Sequence, residues 1–248
     1  MAPRESITYL GHATVRLDVR GTRLLTDPFL RDRLAHLRRR SAPVTREAYA
    51  DVDGVLISHL HLDHLDVPSL RRLSREAVVV VPRGGGALVR RLGFAQVHEA
   101  RAGDRLNVGG VEVLAVPAEH DGRRRPGGRP ADTLGYVAAG VYFAGDTDLY
   151  AGMEALRPLD VALLPVWGWG PTLGRGHLDP ESAARALALL RPRVAVPIHW
   201  GTLFPVGLGR IRRDRLTDPP HEFARHAARL APEVRVEILA PGAAIDVA

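Results

Sequence analysis

Residues 58–66 read Ser-His-Leu-His-Leu-Asp-His-Leu-Asp and follow the apolar run Val55-Leu56-Ile57. His59 and His61 are two residues apart, so in extended chain their side chains point to the same side. Asp63 and His64 continue the cluster in the turn beyond. These four nitrogen or oxygen donors suit a metal centre, because imidazole and carboxylate are the usual ligands when thiolate is absent, and the chain has no cysteine. The competing reading is a solvated His-rich turn. It is disfavoured because the donors close a buried strand, which is a specific ligand pattern.

The elements that must hold such a cluster are short. β-Branched runs bounded by Gly or Pro predict strands at Ile7–Leu10, Val15–Val19, Leu24–Thr26, Val55–Ser58, Val78–Val81 and Val111–Val116. Further strands are predicted at Thr133–Ala138, Val141–Ala144, Val161–Pro165, Val194–Pro197 and Val234–Leu239. Helical patterns fall at Pro68–Leu73, Gly86–Leu92, Pro180–Leu190 and Glu222–Leu230. The third has the clearest start: Asp179 can cap it, Pro180 fits the first helical position and Glu181 suits the positive end. Gly84-Gly85-Gly86 reads as a helix-entry turn, since it lacks a full dinucleotide-type glycine pattern. Asp27 to Ala50 shows no clear element and reads as a loop over a site. Strands in series, then strands alternating with helices, predict two mixed sheets with helices outside.

Composition sets the frame. The chain has 248 residues, 46% hydrophobic and 25% charged, which excludes a largely disordered protein. The expectation is one domain over residues 1–248. No apolar run approaches the ~18 residues of a membrane span, and the polar start lacks a secretory apolar region. A cytoplasmic protein is expected. The net charge is +6 and every basic residue is arginine, a bias that fits a skewed source genome as well as an anionic partner. Arg123, Arg124, Arg125 and Arg129 form a basic stretch suited to phosphate.

His59-x-His61-x-Asp63-His64 resembles the signature of the metallo-β-lactamase-fold hydrolases. Pro117-Ala118-Glu119-His120, Phe143-Ala144-Gly145-Asp146-Thr147 and Pro197-Ile198-His199-Trp200-Gly201-Thr202 match its later ligand segments in order. Gly11-His12-Ala13-Thr14, Thr26-Asp27-Pro28 and His177-Leu178-Asp179-Pro180-Glu181 are similar to one branch, that of N-acyl phosphatidylethanolamine phospholipase D and ascorbate-6-phosphate lactonase.

The resemblance implies an α/β fold, a four-layer αββα sandwich of two mixed β-sheets flanked by helices, with the site at the sheet edge. It implies two divalent metal ions. One takes His59, His61 and His120, the second takes Asp63, His64 and His199, and Asp146 bridges them. Zn²⁺ is the first expectation, and an all-nitrogen-and-oxygen site also admits Mn²⁺ or Fe²⁺. A metal-bridging hydroxide would be the nucleophile, oriented by Asp63. His177 matches a substrate-facing position outside the ligand set, suited to a general acid or a phosphoryl-oxygen donor; an ordinary loop histidine is its competing reading.

Asp27 is expected to hydrogen-bond a ligand or its loop, against a plain Asp-Pro turn. His12 either faces the site mouth or fixes its loop. Trp167, Trp169 and Trp200 either wall an apolar substituent or pack loops. His36, His98, His221 and His226 have no partner pattern and read as surface residues.

The expected function is a dinuclear hydrolase of a phosphodiester or phosphorylated small molecule, with an anionic substrate. A lactone or ester hydrolase is the alternative that the same chemistry accepts. A nuclease is disfavoured because the Asp146–His199 interval is too short for a large inserted domain. A non-catalytic metal-binding regulator is disfavoured by the complete ligand set.

Overall fold

The computed structural model describes residues 5–125, 127–168, 173–208 and 214–247. The chain opens with the antiparallel strands β1 (Ser6–Gly11), β2 (Thr14–Val19) and β3 (Thr22–Thr26), followed by a small hairpin of β4 (Arg33–Leu34) and β5 (Leu37–Arg39). Strands β6 (Gly54–Leu56), β7 (Val78–Pro82) and β8 (Gln96–Ala100) then add to β3 in parallel. A second sheet begins with β9 (Arg105–Val108), β10 (Val111–Pro117), β11 (Leu134–Ala138) and β12 (Val141–Phe143), each antiparallel to the one before. It continues in parallel through β13 (Val161–Pro165) and β14 (Val194–Ile198). Strand β15 (Leu203–Pro205) leaves to pair with β5, β16 (Arg235–Val236) closes the second sheet, and β17 (Ala244–Asp246) returns to β1. The result is two seven-stranded mixed sheets, the αββα arrangement expected from the sequence.

Alternation along the strands builds the layers. In β13, Val161 and Leu163 face the core between the sheets, while Ala162 and Leu164 face outward under helices. In β7, Val80 faces the first sheet's partner and Val79 and Val81 face the opposite way. The outer layer on one side holds the short helices α1 (Arg46–Tyr49), α2 (Val67–Leu70) and α3 (Gly86–Arg90). The other side is covered by α4 (Pro180–Leu190) and α5 (Asp214–Leu230). The start of α4 is as expected: Asp179 accepts a hydrogen bond from Ser182 N at 2.8 Å, and Pro180 occupies the first turn. Gly85 precedes α3 as the expected entry turn.

Three expectations change. Residues 27–50 are not a bare loop but carry β4, β5 and α1. Strands this short have little pattern of their own; Leu37 is fixed instead by packing with Phe29 and Leu203. Helix α5 starts at Asp214 rather than Glu222, because Pro219 and Pro220, which argue against a helix in sequence, are buried within it. The last strand of the second sheet is only Arg235–Val236.

The strand directions decide where the chemistry sits. β1, β3 and β6 run one way in the first sheet, and β10, β12 and β14 run one way in the second. The segments leaving these six strands carry His12, Asp27, His59–His64, His120, Asp146 and His199. The two sheets are joined at this edge, where Tyr136 donates its hydroxyl to Ile57 O at 2.7 Å and Leu134 N donates to Ser58 O at 2.9 Å.

Candidate metal centre

His59, His61 and His120 each bring a ring nitrogen within 4.8 Å of the other two. His61 Nδ1 and His120 Nε2 are 3.1 Å apart. Asp63, His64 and His199 form a second group, which His12 joins, and His64 Nε2 lies 3.2 Å from His199 Nε2. A tetrahedral ion with bonds of ~2.0–2.1 Å spaces its donors about 3.3 Å apart, so both nitrogen pairs have ligand spacing. Asp146 lies between the groups. Its Oδ2 is 3.2 Å from His64 Nε2 and its Oδ1 is 3.4 Å from His199 Nε2, and it also groups with His120 and His177.

The donor set fits divalent cations on a second count. His59 Nε2 and Asp146 Oδ1 are buried without a hydrogen-bond partner among the described residues. Orphaned buried polar atoms are costly and rare, and cations held by these groups would satisfy them.

Surrounding groups aim the imidazoles. His64 Nδ1 donates to Asp27 Oδ2 at 2.7 Å, His199 Nδ1 to Trp167 O at 2.7 Å and His120 Nδ1 to Gly176 O at 2.7 Å. Each ring is thereby held with Nε2 toward the centre, the usual outer-shell device for metal-binding histidine. Asp27 also accepts from Ser58 N at 2.7 Å and from the Ser58 hydroxyl, which in turn accepts from His59 Nδ1 at 2.9 Å. His12 is buried beside the second group with Nε2 3.1 Å from Asp63 Oδ2. It therefore fixes a site carboxylate, beyond its own loop. His12, Asp27 and His199 all have left-handed backbone, with φ of 56°, 31° and 62°, a strain characteristic of functional sites. Gly145, at φ 63°, lets the Asp146 loop pass the His59 loop: a Cβ there would lie 2.5 Å from Ser58 Cβ.

Burial shapes the protonation states. It holds His12, His59 and His61 below the usual imidazole range, His120 at about 4 and His199 at about 3. Neutral imidazole offers the lone pair that a cation requires. For Asp63 and Asp146 burial acts upward but loses to histidine charges, chiefly His64 for the first and His199 for the second, so both stay well below the carboxylate range. Burial would lower His64 as well, yet Asp146, Asp63 and Asp27 raise it well above the usual range.

The centre opens into a cleft of about 610 Å³ whose lining includes His61, Asp63, Asp146, His177 and His199. His177 is half-buried, with Nε2 3.7 Å from Asp146 Oδ2. The hairpin β4–β5 also lines this cleft and includes His36, which is exposed as the sequence predicts. Trp200 stacks on Tyr9 with ring centres 6.1 Å apart and donates to Pro197 O, so it packs the core. Trp167 contributes its carbonyl to His199, and Trp169 lies outside the described residues. The sequence reading missed Ser58, although it directly precedes the motif. It also missed the carbonyls of Trp167 and Gly176, for which side-chain identity carries no signal.

Residues 22–200 match the beta-lactamase superfamily domain family. A UPF0173 metal-dependent hydrolase of Methanopyrus kandleri is 34% identical over 258 aligned positions, covering 95% of this chain and 97% of the relative. Another, from Rubrobacter xylanophilus, is 34% identical and covers 95% and 94%. Among solved structures, a metallo hydrolase from Ignicoccus hospitalis is 26% identical, with a TM-score of 0.75 over 98% of both chains. An isothiocyanate hydrolase from Delia radicum gut bacteria shares the fold at 19% identity and a TM-score of 0.71, covering 97% of this chain and 98% of that one. Among the described residues no helix is long and apolar enough to cross a membrane. The chain belongs to the beta-lactamase superfamily and, within it, to the UPF0173 metal-dependent hydrolases.

Proposed function

We propose that this protein is a dinuclear metal-dependent hydrolase of a phosphodiester or another phosphorylated small molecule. The observation that carries the reading is Asp146, whose buried carboxylate lies beside His64 and His199 of one group and within 4.8 Å of His120 of the other, with one oxygen unpartnered among the described residues. His59, His61 and His120 would hold one ion and Asp63, His64 and His199 the other. The all-nitrogen-and-oxygen donor set favours Zn²⁺ and also admits Mn²⁺ or Fe²⁺. Two such ions would supply a nucleophile at neutral pH and would neutralise charge developing on a phosphoryl or carbonyl oxygen.

The chain's own groups do the rest. His12 fixes the Asp63 carboxylate through Oδ2. Asp27 and the Trp167 and Gly176 carbonyls hold the ligand rings in register. His177, on the cleft side of Asp146 and outside both ligand groups, is placed to protonate a leaving-group oxygen or to donate to a phosphoryl oxygen. The phosphodiester preference is supported by the similarity of the Gly11–Thr14 and His177–Glu181 segments to the phospholipase D branch.

The test is metal analysis combined with turnover of phosphodiesters, lactones and carboxylic esters. The expected result is two ions per chain, loss of turnover on chelation and recovery with Zn²⁺ or Mn²⁺. Saturation at one ion would reject the dinuclear reading, and undiminished turnover by demetallated protein would reject the metal mechanism.

A further inference from the structure

Arg124 is the one arginine lining the cleft among the described residues. Its Nη1 donates to Leu60 O at 2.9 Å and Leu65 O at 3.0 Å, so the guanidinium is anchored to the segment that bears His61, Asp63 and His64. Nε and Nη2 make no hydrogen bond among the described residues. The nearby carboxylates are committed elsewhere: Asp66 pairs with Arg31 through contacts of 2.8 to 3.1 Å, and Asp63 with His12. This half-buried guanidinium gives its hydrogen bonds to carbonyls, and a charge-assisted partner would gain more there than in open water. Burial first and Arg125 second lower the pKa of Arg124, outweighing the upward pull of Asp66. Leu34, Leu37, Leu62 and Leu173 line the same cleft. Leu62 is 40% exposed although it sits between two ligand residues.

We propose that Arg124 is the anion-recognising residue of this cleft and that the four leucines receive an apolar substituent of the same molecule. The substrate class is then a small phosphoryl compound carrying an alkyl or aryl group, rather than a sugar phosphate or a polynucleotide. That the anion is phosphoryl, and which bond is cut, rests on the hydrolase reading; recognition of an anion by Arg124 and of an apolar group by the leucines is a separate property.

The test uses methylphosphonate and hexylphosphonate, whose C–P bonds are not hydrolysed, with binding measured calorimetrically on the metal-loaded protein. The native protein is expected to bind the hexyl compound at least about tenfold more tightly, since each buried CH₂ contributes. Arg124→Gln should keep its metals, weaken both ligands at least about tenfold and preserve their ratio. Arg124→Lys should regain part of that loss, because it restores charge without the planar fork. Leu34→Asn should leave methylphosphonate binding unchanged and reduce the ratio at least about threefold. Native affinity for methylphosphonate in Arg124→Gln overturns the anion assignment, as does loss of metal from both Arg124 variants, which would make the residue a clamp on the ligand segment. Equal affinity of the native protein for both phosphonates overturns the apolar pocket. If no ester were turned over yet these affinities held, the hydrolase reading would fail and the recognition site would stand.

Discussion

Asp27 and His64 are joined at 2.7 Å, Oδ2 to Nδ1, and both side chains are fully buried. The carboxylate comes from the end of β3 and the imidazole from the segment after β6, two parallel neighbours. The same carboxylate holds Ser58 N and the Ser58 hydroxyl, so one side chain orients both the His59 and His64 rings. Replacing Asp27 by Asn keeps the shape and removes the charge. Metal affinity should fall by about 10- to 100-fold while the far-ultraviolet circular dichroism spectrum stays native. Competition against a chromophoric chelator measures it, and native affinity in Asp27→Asn would show that the carboxylate is only a turn former.

Asp146→Ala and His120→Ala should differ in kind. Asp146 lies against His64 and His199 and within 4.8 Å of His120, whereas His120 belongs to the His59 side alone. The first variant should weaken both ions; the second should retain one ion per chain at concentrations that saturate the native protein twice. Metal analysis after dialysis distinguishes them, and equal loss in the two variants would contradict the bridging position.

His177→Ala should keep native metal content and lower turnover by about 10²- to 10⁴-fold. If His177 donates a proton, the deficit should shrink on an ester with a good leaving group; if it stabilises a phosphoryl oxygen, the deficit should persist. Turnover unchanged on both esters would leave it a loop residue.

Gly145→Ala should destabilise the protein by about 1–3 kcal/mol or more. The added Cβ meets Ser58 Cβ at 2.5 Å, and the position requires φ 63°. Thermal unfolding in chelator isolates this effect from metal binding, and a native melting temperature would show that the loop relaxes freely.

Chelation itself should leave the fold intact. Three large apolar clusters, between the sheets and on both outer faces, form without any site residue, so a chain of this size does not depend on metal for a core. Retained circular dichroism with lost turnover is the expected pair of results.

The candidate donors, their order and the strands that precede them are legible in the sequence by itself. Those signals are local: β-branched runs, a His-rich strand end and the Asp179 cap are each written within a few neighbouring residues. It did not reveal the hairpin at Arg33–Arg39, whose strand β5 pairs with β15 far along the chain, nor the start of α5 ahead of its buried prolines. It left His12 undecided, because the contact with Asp63 joins positions 51 residues apart. Only the tertiary structure decided which carbonyls turn His120 and His199 toward the centre and which hairpin walls the cleft. Parallel strand direction in two sheets brings those separate loops to one edge, and the hydrogen-bond partners found there are set by through-space proximity, which no local pattern encodes.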